Sequence, residues 1–552
     1  MVGGEDGADG ARARVVSPPA PPAIDHLLPA ILSGVAATLA LVATWRGPGL
    51  TDDSVNYLST GINVAESRGW VMLADQPLTI FPPGLPAIAA LGETIGVGAE
   101  MMLRLVSAAS FGAIVLLGHR LLRRVVPHRG VVIGSTVLLA VSPALLGVAK
   151  MAWSEPLFIV VSLLFLLALG RVLDRGTLGN PDVAMLVALS GMAFLVRYIG
   201  VSLIALGGIA LLLAIRPLDR RALGRITLFG VLSAVVPVAC ILRNYAVDGN
   251  YLGNRIPSTD SLGDSSYRVA VTLGEWLYPA SPLGPRTLAL LGTALVLLVV
   301  SGLLVSNRVG RGSGAAGAGS RDAGARRRLL CCAGFALVYV AYLVAASVGT
   351  GFEPINARYL SPVFVPVVVV AATGIATILG TSVHPLWHRT LGTVLALLVA
   401  VQLVSSVDEA RTDAVDGIGY SSSGWVDSDL ATEASRLVER SDDAVIYSNQ
   451  PFGLWAGTLA QPIRWAPLET GFRGARVVGE LDALARQVAC TPESTYLVRY
   501  RYGSPRVFSN KEIGAAVDVQ RVTVADDGAI FKLTPRNEVA CSNSPALPTR
   551  AR

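Results

Sequence analysis

The sequence has few charged side chains: Asp, Glu, Lys and Arg make up 15% of its 552 residues, whereas hydrophobic residues make up 52%. Soluble globular proteins carry about 25% charged residues, so the composition argues against a soluble multidomain enzyme. Lysine is especially scarce, with three lysines among the 45 basic residues. The mean hydropathy of +0.56 instead indicates a chain that crosses a membrane several times.

Cysteine and histidine are also rare, with five residues of each. Five cysteines are too few for a disulfide scaffold, and the histidines show no zinc-site spacing with them. Cys490 and Cys541 are the two cysteines of the C-terminal region, and an oxidising outer compartment would permit them to pair. The sequence does not give their separation, so the bonded and the free states both stay open for this disulfide candidate.

Eleven apolar runs are close to the length of about 20 residues that a membrane-spanning helix needs. The predicted spans lie near 27–45, 99–119, 131–149, 156–171, 182–196, 199–215, 226–242, 287–306, 329–348, 359–381 and 390–407. The fifth and sixth are separated by only a few residues around Arg197 and Tyr198, so the count is least secure there.

Arginines are concentrated in alternate loops, such as the loop that holds Arg120, Arg123 and Arg124. The positive-inside rule places these loops and the N-terminus in the cytoplasm, and eleven crossings then place the C-terminus outside. The net charge of +6 does not indicate nucleic-acid binding, because these arginines are spread over separate loops and do not form one basic face with interleaved aromatic residues.

The composition divides the chain into three regions. Residues 1–23 are predicted to be a disordered cytoplasmic tail without a signal-cleavage pattern, so the first span is expected to be a retained anchor. Residues 24–407 form a mostly α-helical transmembrane domain whose first outer loop is 46–98. Residues 408–552 predict an extracytoplasmic α/β domain, with strands at 443–449, 495–502 and 522–533 and helices at 429–440 and 477–488.

Polar residues at the ends of the predicted spans collect on the outer face. Polar groups close to a bilayer are costly, and carboxylates beside arginines suit proton transfer and an anionic leaving group. The residues concerned are Asp52, Asp53, Tyr57 and Trp70 of the first loop, then Glu155, Arg197, Tyr198, Arg243, Asn244, Tyr245, Arg358 and Tyr359.

Each of these residues also has a purely structural interpretation. Asp52 and Asp53 precede a helix predicted over 54–67, and one of them is expected to cap it. Glu155 suits a helix N-terminus, and the arginines suit anchors that reach the headgroup layer. The convergence of five such clusters on one face favours a functional site.

Five short motifs lie in the predicted outer segments: Asp52-Asp53 after the first span, Phe81-Pro82-Pro83-Gly84-Leu85-Pro86, Ser154-Glu155, Arg243-Asn244-Tyr245 and Arg358-Tyr359-Leu360. Their order resembles that of the GT-C superfamily of membrane glycosyltransferases, which use polyprenyl-phosphate sugars and include protein O-mannosyltransferases and bacterial aminoarabinose transferases. The resemblance covers residues 24–410 in architecture. It departs at Ile80-Phe81, where the aminoarabinose transferases have a basic residue before the Pro-Pro pair, and at Asp53, where those relatives often have Glu.

The resemblance implies that Asp52 is the general base of an inverting transfer of a mannose-like or arabinose-like sugar to a hydroxyl of a glycan, glycolipid or protein. Asp53 and Glu155 would orient Asp52 or the acceptor, or join it in holding a divalent ion such as Mg²⁺ or Mn²⁺, which some relatives do without. Tyr57 and Trp70 are expected near the acceptor. The residues expected near the donor phosphate are Arg197, Tyr198, Arg243, Asn244, Tyr245, Arg358 and Tyr359.

Two other functions stay open. A transporter or lipid flippase would place polar residues at mid-membrane and often repeats its halves; the predicted spans are apolar inside, which favours an enzyme at the interface. A non-catalytic protein of envelope assembly is the second alternative. In the outer domain, Trp425, Tyr447, Trp455 and Trp465 either stack on sugar rings or form a structural core.

Overall fold

The protein is described from a computed structural model. The description covers residues 24–253, 255, 257–279, 283–312, 319–380, 385–440, 444–459, 463–470, 476–490 and 495–536. The predicted tail 1–23 and Cys541 lie outside these ranges.

The first three quarters of the chain are helical, as the long apolar runs predict. The helices are α1 (Ile24–Ala43), α2 (Asp52–Ala65), α3 (Gly84–Thr94), α4 (Ala99–Val125), α5 (Arg129–Ala140), α6 (Pro143–Ala149), α7 (Glu155–Arg175), α8 (Asn180–Val196), α9 (Val201–Ala214), α10 (Arg220–Asp248), α11 (Leu262–Glu275), α12 (Pro285–Gly312), α13 (Gly319–Gly349), α14 (Ala357–Gly380) and α15 (Pro385–Asp416).

Seven helical segments within the described ranges are long and apolar enough to cross a membrane, and four shorter apolar helices accompany them. Each predicted span lies on one of these segments. The apolar helices make the chain a multi-pass membrane protein, while the count of eleven spans stays a prediction. Helix α15, which contains the last predicted span, continues to Asp416, beyond the predicted end of that span at residue 407.

One continuous apolar core fills the helical body and includes fully buried Phe158, Phe165 and Phe335. Large apolar side chains also lie on the outer surface, among them Leu213 at 71% exposure and Val231 at 60%. Such exposure is unfavourable in water and normal against lipid tails, so the body has the surface of an intramembrane domain.

The C-terminal region folds around a five-stranded sheet of order β2-β1-β3-β5-β4, in which β1 pairs in parallel with β2 and β3, whereas β5 runs antiparallel to β3 and β4. The elements are α16 (Ser423–Val426), α17 (Asp429–Arg440), β1 (Val445–Ser448), α18 (Pro451–Thr458), β2 (Ile463–Trp465), α19 (Glu480–Cys490), β3 (Thr495–Tyr500), α20 (Asn510–Ala516), β4 (Val517–Ala525) and β5 (Gly528–Pro535).

The single strand predicted over 522–533 is wrong. The structure has a hairpin in which Ala525 pairs with Gly528, so that Asp526 and Asp527 form a two-residue loop. Apolar residues alternate on both sides of this loop, so the two strands look like one in the sequence. The pair Asp527-Gly528 is a hairpin signal that could have marked the reversal.

The first outer loop and the C-terminal domain share a core. Val55 and Tyr57 of α2 belong to the same buried cluster as Leu430 of α17, Ile446 of β1 and Val498 of β3. The C-terminal domain is therefore packed onto the loop that carries the acidic pair, and its far side has a separate core around α19 and α20.

Candidate active site

Asp52 and Asp53 are the first two residues of α2, which begins two residues earlier than predicted. The expectation that one of them caps the helix is wrong. Thr51 occupies the cap position, without a side-chain capping bond; its hydroxyl instead accepts a hydrogen bond of 2.9 Å from the Trp153 indole. Because neither carboxylate caps the helix, both are available to partners from other parts of the chain.

Asp53 belongs to a cluster of two carboxylates and two arginines, here called the Glu155 cluster (Asp53, Glu155, Arg197 and Arg358). Glu155 is fully buried at the start of α7, and its Oε1 lies 2.5 Å from Arg197 Nη1 and 2.6 Å from Arg358 Nε. Arg358 Nη2 lies 2.5 Å from Asp53 Oδ2. Each acid is paired with at least one arginine, as the rule for buried charges requires, and Arg358 also lies 3.9 Å from the exposed Glu353.

Aromatic rings hold the Arg358 guanidinium in place. It lies over the Trp153 ring, 4.1 Å from the centroid, and 5.5 Å from the centroid of Tyr359. Cation–π contacts of this kind attract the guanidinium to the faces of aromatic rings and are made more often by arginine than by lysine. The predicted residues Arg197, Arg358, Tyr359, Asp53 and Glu155 are thus brought together, with the arginines engaged by carboxylates.

Asp52 faces away from this cluster, toward the segment that follows α15. Its Oδ1 accepts a hydrogen bond of 2.7 Å from the Tyr420 hydroxyl. Solvent reaches the Asp52 side chain, yet the surrounding protein partly desolvates it. This desolvation raises the pKa of the Asp52 carboxylate above its ordinary value. The Tyr420 hydrogen bond and the positive charge of Arg506 oppose the rise, whereas neighbouring Asp53 adds to it.

A second predicted group, Tyr198, Arg243 and Asn244, holds the backbone of the first outer loop. The Tyr198 hydroxyl and the buried Asn244 amide both donate to the Thr79 carbonyl, at 2.9 and 3.2 Å. Arg243 Nη1 donates to the Leu78 carbonyl. These three residues therefore fix the backbone of the loop segment that leads into the Pro-Pro pair.

The same residues line a cavity of about 180 Å³. Its walls are mostly apolar, and Arg243 is the charged residue that lines it. Pockets that enclose drug-sized ligands measure about 300–1,000 Å³, so this cavity is too small to enclose a whole ligand of that size. The lining residues are Trp70, Leu78, Phe81, Pro83, Tyr198, Cys240, Arg243 and Asn244.

Tyr57 connects the cavity wall with the Glu155 cluster. It is buried on α2, its ring meets Phe81 edge-on with centroids 4.9 Å apart, and the charges of Asp53 and Glu155 act on its hydroxyl. Tyr245, by contrast, is 52% exposed and stacks on Tyr251, outside the cavity lining.

The described residues contain no group of three or more His, Cys, Asp or Glu side chains arranged to hold a metal ion. Guanidinium nitrogens contact the Glu155 and Asp53 oxygens that a divalent ion would use, and Asp52 turns to Tyr420. The three acids as arranged face different partners, and the suggested Mg²⁺ or Mn²⁺ site stays a prediction.

The remaining sequence candidates lie in the C-terminal domain. Trp455 and Tyr447 are buried in its cores, and Trp425 packs between Tyr420 and Tyr500, as the structural-core interpretation describes. Cys490 is disulfide-bonded, whereas Cys240, Cys331 and Cys332 are free; the predicted partner Cys541 lies outside the described residues.

Sequence reasoning missed Tyr420 and Trp153 as neighbours of the acidic pair. Tyr420 is 368 positions from Asp52, and no local pattern marks it. Trp153 stands beside the Ser154-Glu155 motif, so its closeness to Glu155 along the chain was a usable signal.

The overall architecture is shared with solved structures. ArnT from Cupriavidus metallidurans in the apo state matches with a TM-score of 0.60 at 15% identity, covering 91% of this chain and 97% of that one. Arabinofuranosyltransferase AftD from Mycobacteria matches with a TM-score of 0.51 at 16% identity, covering 93% of this chain and 40% of that one. The oligosaccharyltransferase AglB from Archaeoglobus fulgidus matches with a TM-score of 0.51 at 13% identity, covering 86% and 69%.

These likenesses confirm the GT-C fold that the sequence predicts. No protein-family model matches the chain, and no curated protein matches it in sequence.

Proposed function

We propose that this GT-C-fold membrane protein is a glycosyltransferase that moves a sugar from a polyprenyl-phosphate donor to an acceptor hydroxyl at the outer membrane interface, with Asp52 as the general base. Structures of two fold relatives contain lipid phosphates, undecaprenyl phosphate in ArnT and dolichol-phosphate in AglB. A mannose-like or arabinose-like sugar, and a glycan, glycolipid or protein acceptor, remain part of the proposal.

The observation that carries the proposal is the contrast between the two carboxylates of the acidic pair. Asp53 is ion-paired with Arg358, whereas Asp52 is reached by solvent and contacts a neutral hydroxyl. A general base must be accessible and have a pKa near the working pH. The raised pKa of Asp52 moves it in that direction, while it stays ionised at pH values above that pKa.

In the proposed transfer, one bond to the anomeric carbon forms as another breaks, and Asp52 takes up the proton that is released. The acceptor oxygen attacks the anomeric carbon and its proton passes to Asp52, while the bond from that carbon to the phosphate oxygen breaks and its electron pair stays on the phosphate. Attack from the side opposite the leaving phosphate inverts the anomeric configuration. The negative charge that develops on the phosphate needs cationic hydrogen-bond donors.

Arg243 is the arginine with the most suitable surroundings for that phosphate. Arg197 and Arg358 are each engaged by carboxylates. Arg243 lines the cavity, and its Nε and Nη2 atoms make no hydrogen bond to the described residues. An apolar cavity with one cation matches the amphipathic end of a lipid phosphate, and it would supply the positive charge missing at Ile80-Phe81.

The transporter and assembly alternatives lack a comparable observation. The buried charges of the Glu155 cluster lie where α7 and α14 begin and beside the first outer loop, which is the end of the bundle rather than its middle. A transport pathway would require polar residues at mid-membrane. The cluster position therefore favours chemistry at the interface.

The test is sugar transfer by the purified, lipid-reconstituted protein, using a panel of labelled polyprenyl-phosphate sugars that includes mannose and arabinose. Loss of general-base catalysis typically costs about 10²–10⁴-fold in rate, and we expect a fall of that size for Asp52→Asn. Asp75→Asn, the same change at an exposed position of the same loop, is the matched control. Unchanged turnover in Asp52→Asn, or no transfer from any donor by the wild type, would overturn the proposal.

A further inference from the structure

The segment that follows α15 reaches back to the acidic pair and places a tyrosine on it. The Tyr420 hydroxyl donates to Asp52 Oδ1 at 2.7 Å. The other oxygen, Oδ2, receives no side-chain hydrogen bond from the described residues, and solvent reaches the Asp52 side chain. One oxygen of the carboxylate is thus held by Tyr420, and the other can accept a proton.

Backbone contacts fix the Tyr420 position on both sides. Leu50 and Gly419 form a parallel bridge, in which the Leu50 amide donates to the Ile418 carbonyl at 3.3 Å and the Tyr420 amide donates to the Leu50 carbonyl at 2.9 Å. The Ser421 hydroxyl donates to the Pro48 carbonyl at 2.7 Å. Tyr420 is thereby attached to the short stretch of chain that leads directly into Asp52.

The ring of Tyr420 is held by packing as well. It meets Trp425 edge-on, with centroids 5.2 Å apart, and Trp425 in turn contacts Tyr500. A Cβ placed on Gly453 would lie 2.3 Å from the Trp425 ring, which shows how tightly the indole is enclosed. The hydroxyl is therefore presented by a ring with little freedom to turn away.

The Tyr420 hydrogen bond opposes the effect of desolvation on the pKa of Asp52. Partial enclosure in protein favours the protonated acid, and a hydroxyl that donates to the carboxylate favours the ionised base. Two charges also act on Asp52: that of Asp53 favours the protonated acid and that of Arg506 favours the ionised base. Both charges are kept when Tyr420 is substituted. Burial and the Asp52 charge also raise the pKa of the Tyr420 hydroxyl, so that it stays protonated and remains a donor.

We propose that Tyr420 is a positioning residue for Asp52: it fixes the carboxylate so that Oδ2 faces the acceptor, and it keeps the carboxylate ionised. This inference rests on the proposed function of Asp52 as the base. It makes the C-terminal domain, through the segment that begins it, a contributor to the active site and not only a cover over it.

The experiment compares Tyr420→Phe with the wild type over a pH series of kcat and kcat/KM. Phenylalanine keeps the ring that packs on Trp425 and removes only the donor. Without it the pKa of Asp52 rises, so the base form requires a higher pH. Losing a hydrogen bond to a charged group shifts its pKa by about one unit or more. We therefore expect the acidic limb of the pH–rate profile, where activity rises as Asp52 ionises, to move to higher pH by that amount. Tyr502→Phe, at a tyrosine that is 90% exposed, is the matched control.

A second variant moves the limb in the opposite direction. Placing 3-fluorotyrosine at position 420 makes the phenol more acidic and a stronger donor, so the acidic limb is expected at lower pH. A residue that served only to hold the fold would change the rate equally at every pH, together with the thermal midpoint.

The outcomes separate this inference from the proposed function. Transfer by the wild type and none by Asp52→Asn, with opposite limb shifts for the two Tyr420 variants, supports both. Active wild type with unshifted limbs in both Tyr420 variants overturns the role of Tyr420 and leaves the proposed function standing. Full activity in Asp52→Asn overturns the proposed function itself.

Discussion

At the scale of the residue, Asp52 and Asp53 are neighbours in sequence that serve different partners. Consecutive residues of an α-helix point about 100° apart, so the first two positions of α2 start in different directions. Asp53 points to Arg358 and Asp52 to Tyr420. The helix start thus separates one carboxylate for charge balance from one that is open to solvent.

Arg243 gives the prediction that belongs to this scale. Removing a charge-assisted hydrogen bond costs roughly 1.5–3 kcal/mol, so Arg243→Ala is expected to raise KM for the lipid-phosphate donor by about 10–100-fold. Arg243→Lys is expected to recover only part of the loss, because lysine lacks the planar fork. Donor titrations of the reconstituted protein measure both.

Arg46→Ala is the control for Arg243, because Arg46 is an exposed arginine at the start of the first outer loop. Arg243 also holds the Leu78 carbonyl, so thermal unfolding is recorded in parallel. An unchanged donor KM in a stable Arg243→Ala protein would contradict the assignment.

The acidic pair was predictable because it follows directly after the first apolar run, and topology alone brings span ends to one face. The partners of each residue were not predictable. Arg197, Arg243 and Arg358 are equivalent as span-end arginines in the sequence, yet two of them pair with Glu155 and the third lines a cavity. That difference depends on side-chain geometry across helices that are distant in sequence.

At the scale of the element, the end of α15 is attached to the site at two points. Lys150, which follows α6, pairs with Glu409 at 2.6 Å and with Asp413 at 2.5 Å on the last turns of α15. Immediately beyond, Gly419 forms the bridge to Leu50. The last span therefore ends in a fixed position next to α2.

Gly419 gives the prediction for this scale. Its φ is +59°, and an added Cβ would lie 2.1 Å from the Leu50 carbonyl oxygen. A side chain there is strained by both the backbone conformation and the contact, so Gly419→Ala is expected to displace Tyr420 and lower both the transfer rate and the thermal midpoint.

Gly424→Ala tests whether the effect is local, since a Cβ on Gly424 meets nothing within 4 Å. It should leave the transfer rate and the thermal midpoint near those of the wild type. Wild-type behaviour of Gly419→Ala would show that the bridge to Leu50 does not control the Tyr420 position.

Elements with a clear period were predicted well. Helix α17 has the predicted bounds, Asp429–Arg440, because its apolar residues recur at helical spacing. The hairpin of β4 and β5 was merged into one strand, since alternation of apolar residues specifies a pleated strand but not where it reverses. The bridge between Leu50 and Gly419 has no periodic signal at all.

At the scale of the whole molecule, the membrane body and the C-terminal domain are not independent. The first outer loop contributes Val55 and Tyr57 to a core that the sheet completes. The arginine-rich loops lie at the other ends of the helices, as in the loop between α9 and α10. The architecture thus places the site at one face and the main positive charge at the opposite face.

Cysteine labelling in intact cells tests this arrangement. A membrane-impermeant maleimide is expected to label Tyr502→Cys in the C-terminal domain, because this position is 90% exposed and predicted to be outside. Leu218→Cys, 45% exposed in the arginine-rich loop, should be labelled only after permeabilisation. The parent protein measures the background from Cys240. Labelling of Leu218→Cys in intact cells would reverse the predicted orientation.

The bridge between Leu50 and Gly419 also has a consequence for biosynthesis. The ribosome delivers the acidic pair early, whereas Tyr420 follows 368 residues later. Every intervening helix must be inserted before the two segments can meet. A nascent chain that stalls before α15 would present Asp52 without its hydroxyl partner, so Asp52 and Tyr420 can meet only after about three quarters of the chain has been made.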